Sequence, residues 1–342
     1  MLAIYDPRQL LHRPQTRLTG GVLKPSLELP ERVTALLEAL DRLGIAVTAP
    51  PDHGDDVIRA THDAGYLDFL QTAFDAWRRL PGTGPELRAS LHPNEHMRRM
   101  PDDLIGRAGY YQADAGCVLV EGTWEAVRAS ANTAADATAR VLAGAPVAYA
   151  LCRPPGHHAY ADKAGGFCYL NNTAVAAHLA TVTGRRVAIL DLDVHHGNGT
   201  QTMFYDRSDV LTVSIHGDPA RLYPFYAGYA DETGVGAGEG FNLNLPVPLL
   251  SGNDAYLAAV DAGIEATRRF APDLLVVALG LDASPADPFA CMQVSRDGFA
   301  RMGQAAGDLG LPTVIVQEGG YLSDELGPSL EAFLRGFGAA GR

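Results

Sequence analysis

Cysteine is scarce, with four in 342 residues (Cys117, Cys152, Cys168 and Cys291), no CxxC pair and no short-spaced framework. That excludes a small fold stapled by disulfides and leads us to expect a reducing cytoplasm as the compartment. Basic charge is short as well: 27 lysines and arginines face 40 acidic residues, a formal net charge of −13. Such an excess disfavours a nucleic-acid backbone or an anionic membrane as partner and suits a neutral or cationic small substrate better. No window of about 18 uninterrupted apolar residues occurs, and the N-terminal MLAIYDPRQL has no charged stretch leading into an apolar one. Neither a membrane span nor an export signal is expected.

What remains is an ordinary globular composition, 47% hydrophobic and 20% charged, which excludes disorder, collagen and coiled coil. Short apolar runs rich in Val, Ile, Leu and Ala predict strands over residues 147–152, 186–192, 210–215, 274–279 and 313–317. Several lack polar alternation, as strands covered on both faces do. Helical spacing predicts helices over 29–43, 123–143, 171–183 and 254–270. The alternation implies a parallel sheet with helices on both faces. Two stretches interrupt it: a proline-bearing segment near 81–101, expected as an insertion, and a glycine-rich loop over 223–240. No composition break divides the chain, so residues 1–342 are expected to form one domain.

In an open α/β sheet, ligands bind past the carboxyl ends of the strands, and polar residues crowd those positions. Arg153-Pro-Pro-Gly-His157-His158 follows the first of these runs, Asp191-Leu-Asp193-Val-His195-His196-Gly-Asn198 the second, Gly280-Leu-Asp282 the fourth and Glu318-Gly-Gly-Tyr321 the fifth. Alternate residues of an extended chain point the same way, so Asp193 and His195 would face one site. With Asp282 they would give three ligands with open positions, as a catalytic divalent ion requires. Two buried carboxylates side by side are costly without a cation. His157 and His158 could supply a base and an acid beside it, oriented by Asp191 and Asn198, while Tyr321 could donate to a developing oxyanion. The set describes metal-assisted amide hydrolysis.

RPPGHHA, GGFCYLNN, LDLDVHHGNGTQ, VSIHGDP, LGLDASPADP and EGGY, in this order over roughly residues 150–321, closely resemble the zinc-dependent deacetylases of the arginase/deacetylase superfamily, most of all the acetylpolyamine amidohydrolases and the bacterial class II histone deacetylase-like enzymes. The resemblance implies a single α/β domain with a central eight-stranded parallel sheet. It also implies zinc, one per chain and replaceable by iron, on Asp193, His195 and Asp282. His158 matches the general base and His157 its neighbour, oriented by Asp191. Asn198 stands beside His158 where class I relatives have Asp, which is the class II pattern. Tyr321 matches the carbonyl-polarising tyrosine. Phe167 and Tyr223 match the tunnel walls and Gly166 the tunnel floor.

The resemblance further implies a structural potassium ion on Asp191, Ser214, Ile215 and nearby carbonyls, and a second on Phe204, Arg207 and Val210. It makes a homodimer built through the 81–101 insertion the expected assembly. Two positions depart from the polyamine enzymes. Arg17 and Ile105 stand where those carry acidic residues near the tunnel mouth, which weakens polyamine specificity and makes acetyl-lysine-like amino acids or another acylated amine plausible substrates. The leading expectation is a deacetylase of small N-acetylated amines. An arginase-like ureohydrolase, a lysine deacetylase acting on proteins and a non-enzymatic binder are the alternatives.

Overall fold

The computed structural model describes residues 1–97 and 99–339. Residue 98 of the expected insertion and the last three residues of the expected domain lie outside the described residues. The strands are β1 (Leu2–Ile4), β2 (Thr16–Thr19), β3 (Val22–Pro25), β4 (Val47–Thr48), β5 (Val147–Ala150), β6 (Val187–Asp191), β7 (Val210–Gly217), β8 (Asn242–Val247), β9 (Leu274–Leu279) and β10 (Thr313–Gln317). The helices are α1 (Glu31–Arg42), α2 (Asp56–Arg59), α3 (Ala64–Arg79), α4 (Leu104–Tyr111), α5 (Thr123–Leu142), α6 (Asn172–Thr181), α7 (Asn198–Phe204), α8 (Asn253–Phe270), α9 (Arg296–Gly307) and α10 (Leu326–Ala339).

Eight strands form one parallel sheet in the order β4-β1-β5-β10-β9-β6-β7-β8. The eight-stranded parallel architecture is the one expected. The central strands are buried along their whole length because each face has its own core. Leu190, Val277, Leu279 and Ile315 join one cluster, with residues of α1, α8, α9 and α10. Ile189, Val276, Val314 and Val316 join the other, with α5 and α6. Period-two alternation thus places apolar side chains on both sides, and burying each contributes about 1.5–3 kcal/mol.

Three strands of this sheet, besides the two of the β2–β3 hairpin, went unrecognised in the sequence. β1 and β4 have three and two residues, too few for a periodic signal, and β8 on the far edge alternates polar and apolar residues around a proline, as an edge strand can. A third cluster, built from α3, α4 and residues near Cys117 and Tyr169, packs beside the sheet. The antiparallel hairpin β2–β3 stands apart from the main sheet.

Candidate active site

The four loops that carry the polar motifs follow β5, β10, β9 and β6, which are neighbours in the sheet. Sheet order, invisible in the sequence order, therefore brings residues 153–158, 191–198, 282 and 318–321 to one rim. Asp193 and Asp282 are fully buried and His195 nearly so. His195 Nδ1 lies 3.1 Å from Asp193 Oδ1 and 3.2 Å from Asp282 Oδ2, and one ligand atom from each residue lies within 4.8 Å of the others.

Burial and the Asp193 charge push the Asp282 carboxyl up. Burial opposes charge on His195, but the two carboxylates outweigh it and push the imidazole up to about 10. Two carboxylates against one imidazole leave negative charge in excess, which a divalent cation on these three donors would offset. Gly319 completes the cradle: its backbone N–H donates to Asp193 Oδ2 at 2.8 Å, and a Cβ there would collide with the carboxylates of Asp193 and Asp282.

His157 and His158 sit side by side at the rim, ring centroids 4.0 Å apart and planes tilted by 43°. His157 Nδ1 donates to Asp191 Oδ2 at 3.0 Å. Burial disfavours its charge, yet Asp191 and Asp193 prevail and push it up to about 10. His158 Nδ1 donates instead to the neutral Asn198 Oδ1 at 2.7 Å. Burial, His157 and His195 hold His158 well below the usual imidazole range. One imidazole is thus kept charged and the other neutral. The backbone leading into the pair is fixed by the buried Glu318 carboxylate, whose Oε2 accepts from the N–H groups of Gly156 and His157 at 2.5 and 3.0 Å.

Above them lies a cleft of about 390 Å³, its walls including His158, Phe167, His195, Tyr223, Phe289 and Tyr321. Gly166 has φ +54° and approaches so closely that a Cβ would collide with the His158 ring, which leaves room only for glycine. The Tyr321 ring meets Phe289 edge-on at 5.1 Å and Phe167 at 5.9 Å, and burial keeps its phenol protonated. Residues 26–337 match the family model of the histone deacetylase domain.

The chain belongs to the histone deacetylase family. It is similar to the acetylpolyamine amidohydrolase of Burkholderia pseudomallei, 47% identical over 99% of both chains. It resembles acetylpolyamine amidohydrolase 1 of Pseudomonas aeruginosa as well, at 43% over 100% of both. The crystal structure of acetylpolyamine aminohydrolase from Burkholderia pseudomallei superposes with a TM-score of 0.96, at 46% identity and 99% coverage of each chain. Members of this deacetylase family are metal-dependent amide hydrolases, and this chain is an enzyme of that class.

The residues matched to potassium sites occupy two further places. Ser214 on β7 pairs in register with Asp191 on β6, its hydroxyl 2.8 Å from His216 Nδ1, and the Ile215 carbonyl accepts the Tyr256 hydroxyl at 3.2 Å. Phe204, Arg207 and Val210 lie between the end of α7 and the start of β7. Arg17 lines the cleft. Ile105 is not among the residues lining the cleft; it is 50% exposed on α4, whose buried residues are Ala108, Gly109 and Tyr111.

Sequence reasoning missed Asp114, Tyr160, Phe289 and Arg32. Asp114 binds the N–H of Gly166 and the Tyr223 hydroxyl, and Tyr160 accepts from Asn198 Nδ2 at 2.6 Å. Arg32 lies under the Tyr321 ring, 4.9 Å from its centroid, and donates to the carbonyls of Gly320 and Glu318. None has a distinctive local motif. Only the LGLDASPADP context would have drawn attention to Phe289, which follows it directly.

Proposed function

We propose that this enzyme removes the acyl group from small N-acylated amines with a slender stem, acetylpolyamines and acetyl-lysine-like compounds among them, using zinc on Asp193, His195 and Asp282. The observation that carries this reading is the pair of adjacent imidazoles, one anchored to a carboxylate and the other to an amide, beside the three-ligand cluster at the foot of an aromatic-walled cleft. Zinc bound by the three ligands would polarise the scissile carbonyl and acidify a nearby water. His158, kept neutral and fixed through Nδ1 by Asn198, presents Nε2 to accept the water's proton. Tyr321 donates its phenolic hydrogen bond to the oxygen on which charge develops. His157, charged and anchored by Asp191, stabilises that charge and holds a proton for the departing amine. Phe167 and Tyr223 flank the stem and exclude water.

The aromatic walls and the 390 Å³ volume favour a slender substrate over a folded protein. Family membership sets aside the ureohydrolase, and the complete set of base, tyrosine and ligands argues against a binder without activity. Asp191, Ser214 and Ile215 support a potassium ion behind the zinc ligands, and Phe204, Arg207 and Val210 a second. The exposed Leu91, Met97 and Met100 of the inserted segment support a homodimer. The deciding measurement is acetate release from acetylated putrescine, cadaverine, spermidine, lysine and a lysine peptide by the zinc-loaded protein. The small amides should lead, and activity confined to the peptide would overturn the reading.

A further inference from the structure

The far end of the cleft carries an unpaired cation. Arg17 lies in β2, and its guanidinium carbon is 5.7 Å from the centre of the Phe289 ring. That same ring lies 5.4 Å from the His195 imidazole and 5.1 Å from the Tyr321 ring. One phenyl group therefore neighbours the guanidinium, a zinc ligand and the carbonyl-polarising tyrosine, and all four side chains line the same cleft.

Arg17 is poorly satisfied. Its Nη1 donates to Thr19 Oγ1 at 2.7 Å, its Nε is buried with no hydrogen-bond partner, and among the described residues no carboxylate oxygen lies within 4.0 Å of it. Arg88, which braces the same hairpin, has its own carboxylate in Glu86 at 3.3 Å. The carboxylate lining the cleft is that of Asp114, and it is already engaged. Oδ1 accepts from the Gly116 N–H at 2.7 Å, and Oδ2 accepts from the Gly166 N–H at 2.9 Å and the Tyr223 hydroxyl at 2.7 Å. The strand carrying Arg17 is also held in place. Glu86 accepts from the N–H groups of Gln15 and Thr16 at 2.6 and 3.1 Å, and Arg88 donates to the Thr16 carbonyl at 2.9 Å.

We infer that Arg17 selects acylated amines whose far end bears a carboxylate, such as ω-acylamino acids and free acyl-lysine. The inference rests on the amidohydrolase reading above and names the substrate class within it. A guanidinium offers a planar fork that matches a carboxylate. At a half-buried mouth it attracts an anionic end and repels an ammonium, and because the hairpin is braced, little ordering is needed when the substrate arrives.

The test uses zinc-loaded full-length protein and acetamides on one five-carbon stem: 6-acetamidohexanoate, N-acetylcadaverine, N-pentylacetamide and Nε-acetyl-lysine. Each kcat/KM is taken relative to that of the neutral N-pentylacetamide in the same variant, which also serves as the check that the variant is folded. Wild type should prefer 6-acetamidohexanoate over N-acetylcadaverine by about tenfold, with Nε-acetyl-lysine between them. Arg17→Gln should bring the two within about threefold, and Arg17→Glu should reverse their order. A wild-type preference for N-acetylcadaverine, or a ratio that neither substitution moves, would overturn the inference and leave the amidohydrolase reading standing. Hydrolysis of none of the four by wild type would remove both.

Discussion

The difference between Asp191 and Asn198 decides what two neighbouring imidazoles do. A carboxylate on His157 keeps that ring charged, and an amide on His158 leaves it neutral and able to accept a proton. Asn198→Asp places a carboxylate on His158 in place of the amide and raises its pKa. The base is then protonated at higher pH, so the acidic limb of a kcat/KM profile should move upward relative to wild type. An unmoved limb would show that another group is the base. Tyr321→Phe removes one oxyanion donor and should lower kcat by about 10²–10³-fold. Zinc content by metal analysis should stay at the wild-type value, because the phenol binds no ligand atom. Most of these residues were legible in the sequence because His-His, DxDxH and GGY are local patterns with a chemical reading. Asp114 and Phe289 were not, since a lone aspartate or phenylalanine acquires a role only from what folds against it.

At the scale of elements, the rim is held by a buried ionic cluster. Glu28, ahead of α1, pairs at 2.8 Å with Arg32 in α1 and at 2.8 Å with Arg153, which follows β5, and all three are buried. Burial works against the Glu28 charge, but the two guanidiniums hold its carboxyl below the usual range. Glu28→Gln leaves two buried cations uncompensated and should destabilise by about 3–5 kcal/mol, read as a lower denaturant midpoint. Leu190→Ala in β6 opens a cavity in one core and should cost about 2–5 kcal/mol by the same assay. Buried strands such as β9 were readable because an unbroken apolar run between turn residues fits a strand covered on both faces. The two-residue β4 was not, because so short an edge is defined by its hydrogen bonds to β1 rather than by its own side chains.

At the scale of the whole molecule, two buried histidines make acid destabilising above the carboxylate range. His62 Nδ1 donates to the Tyr160 carbonyl and Nε2 accepts from the Asn171 N–H, each at 3.0 Å, a pair of bonds that only the neutral ring can make. Burial holds its pKa down at about 4, and that of the buried His12 at about 3. The unfolded chain takes up these protons near pH 6.5 while the folded one resists. The stabilisation these two histidines give is therefore complete above about pH 6.5 and is lost as pH falls toward the folded values, so their contribution to Tm should decline across that window. His62→Gln should flatten the decline, and an unchanged slope would assign it elsewhere. Stripping the metal with a chelator should lower Tm and abolish turnover, with both restored by zinc.

The sequence by itself determined the alternation of strands and helices, the apolar faces of the central sheet and the residue types that chemistry needs at each strand end. These are local properties, carried by spacing along the chain. Tertiary structure decided which ends meet. The adjacency of β5, β10, β9 and β6 brings Asp282 to Asp193 across 89 residues and sets Tyr321 over Arg32. It left Ile105 exposed outside the cleft lining and Arg17 in the cleft without a carboxylate partner among the described residues. Charge compensation and close packing act through space, so no reading along one dimension could assign them.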